Sequence, residues 1–444
     1  MSDERLLTRT DDGVTKGSSP LKRVVLASFI GTTIEWYDFF IYGTSAALVF
    51  NRLFFPDFSP LTGTLLAFAS YALGFVARPL GGVVFGHSGD RIGRKRLLML
   101  SLILMGTATC AIGLLPTYAD IGLLAPILLV LLRLIQGFAV GGEWGGAVLL
   151  VSEHSDPERR GFWASWPQAG VPAGNLLAAA VLAIMSAVQS EADFIAWGWR
   201  LPFLLSSALV LIGWWVRASV SESRLFQDAQ AQRPTAKAEA SPVAVVLREQ
   251  PGALGIGAGL RLGENISYYI LTTFSITYLT AVAGESRGVA LNALMVGAAA
   301  ECLAVPLFGL LSDKIGRRPV YAFGALGMTF WIFLFFVLLA TGHKPSIFLA
   351  VVIGLVLHGA MYGPQAAFIA ELFPTKVRYS GVSIAYHLTS IIAGSLAPII
   401  ALALYQKLHS ATPVAVYVAI ACAISCGTAL ITRETRGLDL GSIH

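Results

Sequence analysis

GHSGDRIGRKR at residues 86–96 recurs as GLLSDKIGRRP at 309–319, and both copies have the pattern G-x-x-x-D-[RK]-x-G-R-[KR]. Each copy lies between two long apolar stretches of the chain. A second element also occurs twice, because Glu153 and Glu371 are each followed seven residues later by an arginine. Repeats of this length indicate two copies of one helical unit, the arrangement in which transporters bind substrate between their repeats.

The composition is that of a membrane protein. Of the 444 residues 55% are hydrophobic and only 13% are charged, whereas soluble domains carry about 25% charged residues. The mean hydropathy is +0.70, and most apolar stretches reach the length of about 20 residues that crosses the hydrocarbon core. We predict an all-α integral membrane protein with twelve transmembrane helices in two six-helix repeats. The predicted spans are 24–50, 62–86, 97–115, 122–151, 162–187, 201–217, 252–282, 289–311, 319–341, 346–370, 381–405 and 413–432.

The distribution of charge predicts the orientation of these spans. Most of the 31 Lys and Arg fall on the side of the membrane that carries both chain ends, and the positive-inside rule assigns that side to the cytoplasm. The basic balance therefore indicates topology and not nucleic-acid binding. The polar start of the chain predicts no cleavable signal peptide. The predicted division is a cytoplasmic tail at 1–23, a six-helix bundle at 24–217, a cytoplasmic linker at 218–250, a second bundle at 251–432 and a short cytoplasmic tail at 433–444.

Several chemistries are disfavoured by what the sequence contains. The four cysteines lie in apolar spans without acids or histidines at metal-ligand spacing, so they are interpreted as packing residues. The chain has no G-x-x-x-x-G-K-[ST] motif, which argues against ATP-driven transport. It also lacks a nucleophile–base or metal constellation at helix ends, which argues against an integral-membrane enzyme.

Longer stretches carry a family resemblance. The repeated loops, RLIQG at 133–137 and WGWRLPF at 197–203 resemble the major facilitator superfamily. Within it, GTTIEWYDFFIYG at 31–43 and ARPLGGVVFGHSGDRIGRKR at 77–96 resemble the metabolite:proton symporters, the group that holds shikimate, α-ketoglutarate, citrate and proline/betaine carriers. RLGEN at 261–265 favours the shikimate-carrier branch. The resemblance runs through essentially the whole chain.

This resemblance implies a monomeric bacterial inner-membrane protein that imports a small organic acid by proton symport and alternating access. Its expected partners are the organic acid, protons and the lipid bilayer, with no cofactor, metal, ATP or nucleic acid. One alternative is a symporter for zwitterionic osmolytes such as proline or betaine, although the family's osmosensing members carry a long cytoplasmic tail and the predicted tail here is short. A transporter-like membrane sensor is the alternative from a different class.

Polar residues recur at helical spacing on one face each of spans one, four, seven and ten. A charge at the centre of a span costs about 2.5–3.5 kcal/mol on insertion scales, so such residues indicate a functional site. These spans are the first and fourth of each repeat, and the resemblance implies that they surround a central cavity. The predicted site residues are Glu35, Asp38, Tyr42, Arg133, Gln136, Arg261, Glu264, Asn265, Tyr268, His358, Tyr362 and Gln365.

Proton coupling is expected of Asp38 together with Arg133. Burial raises the pKa of a carboxyl group and a neighbouring arginine lowers it, so making and breaking one such pair moves a proton. The resemblance supports this choice, because other proton-coupled carriers of the superfamily place an aspartate on span one and an arginine at the start of the RxxxG motif. Glu35 is the competing proton carrier.

Substrate binding is expected of the remaining polar residues. Arg133 and Arg261 can bind a carboxylate through two hydrogen bonds, and the tyrosine, asparagine and glutamine side chains of the set can bind hydroxyl groups. A purely structural Arg261–Glu264 pair remains an alternative. Glu301 in span eight and Arg78 in span two are further intramembrane charges without an assigned partner.

The repeated loops also predict a cytoplasmic gate. The resemblance implies that their charged residues close the cytoplasmic side while the carrier faces outward, with Arg94 placed to pair with Glu153. The alternative is a set of loops that only fixes topology. In span four, Gly137, Gly141 and Gly145 predict close contact with a neighbouring helix. The predicted gate residues are Asp90, Arg94, Glu153, Asp313, Arg317 and Glu371.

Overall fold

The first half of the chain forms six long helices. The computed structural model describes residues 20–92, 94–141, 148–149, 151–152, 155–218, 242–374 and 377–439. In these residues the regular structure is helical, and helices occupy the twelve predicted spans. Those of the first half are α1 (Pro20–Leu48), α2 (Pro60–Ile92), α3 (Arg94–Leu114), α4 (Leu124–Val140), α5 (Arg160–Val188) and α6 (Arg200–Ala218).

The second half repeats this pattern with two interrupted helices. The first helix, α7 (Pro251–Tyr269), continues through π-helical turns at Ile270–Phe274 and Tyr278–Val282. Likewise α11 (Arg378–Thr389) continues through a π-helical turn at Ser390–Ser395 into Ala397–Leu408. Such turns recur at functional sites in membrane and soluble helices. The other helices of this half are α8 (Arg287–Ile315), α9 (Arg317–Ala340), α10 (Lys344–Ala370) and α12 (Thr412–Ile431).

Length and hydropathy alone identify fewer spans than the fold contains. Eight of the described helices are long and apolar enough to cross a bilayer individually, and Glu191–Gly198 with Arg200–Trp215, which meet at 49°, make a ninth if they form one bent span. The shorter apolar stretches Met99–Leu114 and Leu124–Val140 belong to α3 and α4. The α-helical part of α7 carries Arg261 and several glycines, which lower its hydropathy.

A short helix, Pro242–Glu249, lies within the segment that the sequence predicts as a linker. Its Val246 is fully buried, and the helix packs beside α7 and α11. The lack of apolar periodicity in the linker conceals this helix, because a two-turn helix needs only one or two buried side chains. Residues 219–241 of the predicted linker lie outside the described residues.

Helices α2 and α4 touch backbone to backbone at the predicted glycines. A Cβ atom on Gly137 would lie 1.9 Å from the carbonyl oxygen of Gly74, and one on Gly141 would lie 1.9 Å from that of Arg78. No side chain fits at those distances, so the predicted close contact is confirmed at these two positions. Gly145 lies outside the described residues.

The two halves meet along a seam, formed by α5 against α8 and α10 and by α2 against α11. At the face of the bundle where α1 begins and α12 ends, which we call the terminal face, the α5 and α8 backbones approach closely at Gly161 and Gly309. At the opposite face a cleft of about 880 Å³ lies between the ends of α1, α5 and α7 and the beginnings of α2 and α8. Among the described residues, the seam is therefore tightly packed between α5 and α8 at the terminal face and has a cleft at the opposite face.

Candidate functional site

Hydrogen bonds to charged side chains join the two halves at the terminal face. Asp313, near the end of α8, accepts hydrogen bonds from the backbone N–H groups of Gly161 at 2.8 Å and Phe162 at 2.7 Å. These groups begin α5, where free N–H groups and the helix dipole favour a carboxylate. In the same turn Arg160 donates a hydrogen bond to Glu371 at 2.9 Å. Both contacts cross the seam.

Arg317 connects the two acids of this cluster. Its Nη1 lies 2.6 Å from Asp313 Oδ1, and its Nη2 lies 3.3 Å from Glu371 Oε1. After α12 the chain returns to the cluster, where the Thr435 hydroxyl donates a hydrogen bond to Glu371 Oε2 at 2.6 Å. The structure thus brings together the three predicted gate residues of the second copy and adds Thr435, together with Arg160 from the opposite half.

The first copy of the predicted gate falls mostly outside the description. Glu153 and the side chains of Asp90 and Arg94 lie outside the described residues. Of the two arginines that follow the repeated acids, Arg160 pairs with the acid of the opposite half, Glu371. Arg378 donates hydrogen bonds to the backbone carbonyl groups of Ala370 and Phe373.

Arg133 on α4 is a fully buried cation that forms no ion pair with a described acidic residue. Its guanidinium carbon lies 4.4 Å from the ring centroids of Phe39 and Tyr42 and 4.7 Å from that of Tyr71. Its Nη1 donates a hydrogen bond to Gln136 Oε1 at 3.0 Å, while Nη2 has no hydrogen-bond partner among the described residues. Aromatic faces offset part of the cost of burying the cation, and one donor group remains available.

Asp38 faces the same small cavity as Arg133 but does not pair with it. Its Oδ1 accepts a hydrogen bond from Ser206 of α6, and its Oδ2 has no partner within the described part of the chain. Both residues border a cavity of about 10 Å³, which is the size of a single water site. The predicted Asp38–Arg133 ion pair is absent from this conformation, in which Asp38 is hydrogen-bonded to Ser206 and Arg133 to Gln136.

The other predicted residues of α1 and α4 are also enclosed. Glu35 is 3% exposed, so the competing proton carrier lies in the same buried region. The hydroxyl groups of Tyr42 and Ser70 share a hydrogen bond of 2.7 Å. Gln136 Nε2 donates a hydrogen bond to Thr109 at 2.7 Å. The polar face of α1 therefore packs against side chains of α2 and α4.

Five buried side chains of the second half, Arg261, Glu264, Glu301, His358 and Gln365, form what we call the buried network. Arg261 Nη1 lies 2.9 Å from Glu264 Oε2 and 2.9 Å from Gln365 Oε1. His358 contacts Glu264 Oε1 through Nε2 at 3.0 Å and Glu301 Oε1 through Nδ1. Gln365 Nε2 donates to Glu264 Oε2 at 3.2 Å. The Arg261–Glu264 pair that the sequence left open is present, and it belongs to a network from three helices.

Tyrosine side chains connect the buried network with the seam. The ring centroid of Tyr268 lies 4.7 Å from that of His358 and 5.7 Å from that of Phe40 in the first half. Its hydroxyl accepts a hydrogen bond from Asn175 of α5 at 3.3 Å. The ring centroid of Tyr362 lies 5.3 Å from that of His358. Tyr268 of α7 thus contacts helices α1 and α5 directly.

Asn265 offers an unused acceptor near this contact. Its Oδ1 has no hydrogen-bond partner among the residues that the structure describes. A Cβ atom on Gly394 of α11 would lie 2.4 Å from this oxygen and 2.8 Å from the ring of Tyr269. The Tyr269 ring lies 6.2 Å from that of Tyr71, which contacts Arg133. The free acceptor and the free arginine donor therefore flank one aromatic cluster at the seam.

Sequence reasoning missed the partners that come from other helices. Ser206 and Thr109 are hydroxyl residues, which are frequent in membrane spans, and no spacing rule marks them. Glu301 was visible as a charge within a span, but its contact with His358 depends on the packing of α8 beside α10. Tyr386 of α11 is another missed partner from a different helix, and its ring lies 3.5 Å from the Arg261 guanidinium carbon.

Known proteins resemble this chain over nearly its whole length. Residues 28–398 and 266–439 match the Major Facilitator Superfamily. The Shikimate transporter of Escherichia coli (strain K12) is 42% identical over 441 residues, which covers 98% of this chain and 100% of that protein. The Inner membrane metabolite transport protein YhjE of the same organism is 41% identical, covering 94% and 95%. The solved structure of the proton:xylose symporter XylE bound to 6-bromo-6-deoxy-D-glucose aligns with a TM-score of 0.76 at 17% identity, covering 96% of this chain and 98% of that one.

Proposed function

The chain belongs to the major facilitator superfamily and is a multi-pass membrane transporter rather than an enzyme, and from this premise we propose that it imports a small organic acid together with protons. The substrate is a shikimate-like hydroxylated acid or another mono- or dicarboxylate. The similarity to a protein named Shikimate transporter supports this class. The transporter acts as a monomer of the bacterial inner membrane, with both termini in the cytoplasm, and uses the proton gradient without a cofactor or ATP.

The burial of Arg133 without an acidic partner among the described residues is the single observation that carries this proposal. Arg133 is 1% exposed, forms no ion pair with a described acid and keeps one free donor group. A buried charge without a counter-charge is costly, and an anionic substrate would supply that counter-charge. A guanidinium can bind a carboxylate through two parallel hydrogen bonds. An organic acid therefore suits this site better than a neutral solute.

Hydroxyl groups of the substrate would meet the polar residues at the seam. Asn265 has a free acceptor, and the Tyr268 and Tyr42 hydroxyl groups are hydrogen-bonded to Asn175 and Ser70. Arg261 already binds Glu264 and Gln365, so it would bind a second carboxylate only after it exchanged these partners. The residues proposed to bind hydroxyl groups are Tyr42, Asn265, Tyr268, Tyr362 and Gln365, and Glu264, Gln136 and His358 complete the proposed substrate site.

Alternating access would follow from the seam. Hydrogen bonds and ion pairs among Asp313, Arg317, Glu371 and Arg160 join the two halves at the terminal face, and the cleft lies at the opposite face. These contacts are the proposed gate, and with the terminal face in the cytoplasm the proposed state is one closed to the cytoplasm. The two states of a transporter must lie within a few kcal/mol, so the gate contacts must be broken and remade in each cycle.

Asp38 is the proposed proton carrier, with Glu35 as the competing one. A proton on Asp38 leaves no unpaired negative charge beside Ser206 in the present arrangement. Movement of Asp38 toward the Arg133 guanidinium would stabilise the carboxylate and release the proton. Substrate binding at Arg133 and proton release from Asp38 would then compete for one cation, which couples the two.

Uptake into proteoliposomes tests the proposal. Labelled shikimate, α-ketoglutarate, citrate and proline are supplied with and without an imposed pH gradient. We expect one carboxylate to accumulate only with the gradient. We expect Asp38→Asn to abolish accumulation while some counterflow exchange persists, and the exposed Glu249→Gln to behave like the wild type.

Four outcomes would contradict parts of this proposal. If no carboxylate accumulates, organic-acid symport is wrong. Accumulation of proline alone would favour the osmolyte alternative, and the absence of any transport would favour a sensor. If Asp38→Asn accumulates substrate normally, the proton-carrying role passes to Glu35 or elsewhere.

A further inference from the structure

His358 lies between two carboxylate oxygens. Its Nδ1 faces Glu301 Oε1, and its Nε2 faces Glu264 Oε1 at 3.0 Å. Each contact between a ring nitrogen and a carboxylate oxygen needs one proton, and a neutral imidazole carries a proton on only one nitrogen. Two protons are therefore shared among these three groups. Either the imidazole is doubly protonated or one carboxyl group carries the second proton.

The charge of the buried network gives the same count. Arg261 offsets Glu264 at 2.9 Å, which leaves Glu301 and His358 as the remaining pair. With the second proton this pair is neutral overall. Without it, Glu301 would be a fully buried negative charge, and its Oε2 already has no hydrogen-bond partner among the described residues. Because an unpaired buried charge is costly, the network retains that proton while it stays enclosed.

The enclosure of Glu301 comes partly from the opposite half. Cys302, the next residue, has its Sγ 3.7 Å from the carbonyl oxygen of Ala169 on α5. Tyr268, whose ring packs against His358, is hydrogen-bonded to Asn175, which also lies on α5. Movement of α5 away from α8 would therefore uncover this side of the network and admit water.

Titratable and charged side chains from several helices surround Glu301 and His358. Helix α5 contributes the neutral Asn175 on its described face toward Tyr268. Helix α9, which packs against α10, contributes Tyr321, whose hydroxyl donates a hydrogen bond to the carbonyl group of Leu260. The titratable or charged neighbours from α7, α8, α10 and α11 are Arg261, Glu264, Tyr268, Cys302, Tyr362 and Tyr386.

We propose that Glu301 and His358 form a second proton site, separate from Asp38, which loads and unloads a transported proton as the seam opens and closes. This inference rests on the proposed proton symport. The proton leaves the Glu301–His358 contact for water admitted at the open seam, and the carboxylate that remains is hydrated. A proton returns from water when the network is next exposed on the other side, so no further reactant is needed. One site in each half gives more than one proton per transport cycle.

The decisive variant is Glu301→Gln, which keeps the shape and hydrogen bonding of the side chain but cannot ionise. In proteoliposomes, a trapped pH-sensitive dye and labelled shikimate together give the number of protons that enter with each substrate. We expect this ratio to fall by about one in Glu301→Gln while counterflow exchange persists. The matched control, Glu249→Gln at an exposed position, should keep the wild-type ratio. An unchanged ratio in a Glu301→Gln protein that exchanges normally would overturn the inference.

A measurement without substrate separates this inference from the proposed function. Infrared difference spectra of the purified protein in lipid, recorded across a pH titration, report protonated carboxyl groups directly. We expect a titrating carboxyl band that is missing in Glu301→Gln and retained in Asp38→Asn. If the wild type accumulates no carboxylate, the proposed function is wrong, and the infrared spectrum still tests the second proton site. A spectrum unchanged by Glu301→Gln contradicts the second site, and His358→Gln, which must alter the same band, provides the test if Glu301→Gln does not fold.

Discussion

Each half of the molecule buries an arginine and acids within its helices, and the two halves treat them in opposite ways. In the second half Arg261 pairs with Glu264, and His358 links Glu264 to Glu301, so the charges are matched at contact distance. In the first half Arg133 lies among aromatic rings without an acidic partner in the described residues. Asp38 is hydrogen-bonded to Ser206 instead. The first half therefore has a cation, Arg133, available for an anion, whereas Glu264 neutralises Arg261 in the second half.

Local spacing explains part of this difference. Arg261 and Glu264 are three residues apart on one helix, a separation at which side chains are neighbours, so their contact does not depend on how other helices move. Asp38 and Arg133 lie on different helices, and their distance changes whenever α1 and α4 shift. A pair that must form and break during transport is better placed between helices.

The largest expected effect comes from breaking the pair in the second half. Arg261→Ala removes the cation and leaves Glu264 buried at 2% exposure. Removing one partner of a buried pair typically costs about 3–5 kcal/mol, so we expect a clear loss of thermal stability of the purified protein. The double variant Arg261→Gln with Glu264→Gln should recover most of that loss, because it leaves no unpaired charge. If Arg261→Ala alone is as stable as the wild type, the charges of the second half are not matched as described.

A smaller effect is expected from weakening the gate, whose contacts hold the two halves together at the terminal face. Asp313→Asn weakens the hydrogen bonds to Gly161 and Phe162, and bonds to a charged group are worth about 1.5–3 kcal/mol each. We expect the seam to open more often at the terminal face. Cys302, which contacts α5, would then react faster with a maleimide in a protein whose other cysteines are replaced by serine.

The control for the gate is Asp57→Asn, since Asp57 is exposed and bonded only to Tyr118 at the opposite face. Its Cys302 should react at the wild-type rate. If Asp313→Asn leaves the labelling rate of Cys302 unchanged, the gate contacts do not hold the seam closed.

The smallest effect is expected at the opposite face, where Glu191 pairs with Arg52 at 3.0 Å and lies 3.6 Å from Arg287 of the second half. The Glu191 side chain is 64% exposed, and exposed pairs contribute about 0–1 kcal/mol. We expect Glu191→Gln to change the uptake rate by less than about fivefold, and by still less at high salt because exposed charges are screened. Complete loss of uptake would show that this surface cluster holds the halves together as strongly as the gate.

Much of the fold could be predicted because membrane spans are apolar and of defined length. The errors lie where helices continue past the apolar stretch. Helix α2 was predicted to end at residue 86 and extends to Ile92, and α3 begins at Arg94 rather than at residue 97. Charged residues at a membrane surface can remain helical, so hydropathy marks the edge of the lipid and not the end of the helix.

The candidate site could be predicted helix by helix but not across helices. Spacing along α7 made an Arg261–Glu264 pair one of the alternatives, because both residues share one helical face, and that pair is present. The contact of His358 with Glu301 and the bond from Ser206 to Asp38 depend on which helices pack together. The same holds for Arg160, whose partner Glu371 belongs to the other half. A sequence repeat shows which residues correspond, but partners are set by the packing of the two copies.

The most direct test of the central claim compares the two arginines by shikimate binding to the purified transporter, measured by titration calorimetry. If Arg133 anchors the substrate carboxylate, Arg133→Gln should weaken binding by about 10- to 150-fold, since a hydrogen-bonded charge contributes about 1.5–3 kcal/mol. The double variant Arg261→Gln with Glu264→Gln should bind within a few-fold of the wild type. Unchanged affinity in Arg133→Gln, together with lost binding in the double variant, would contradict the account and move the anion site to the second half.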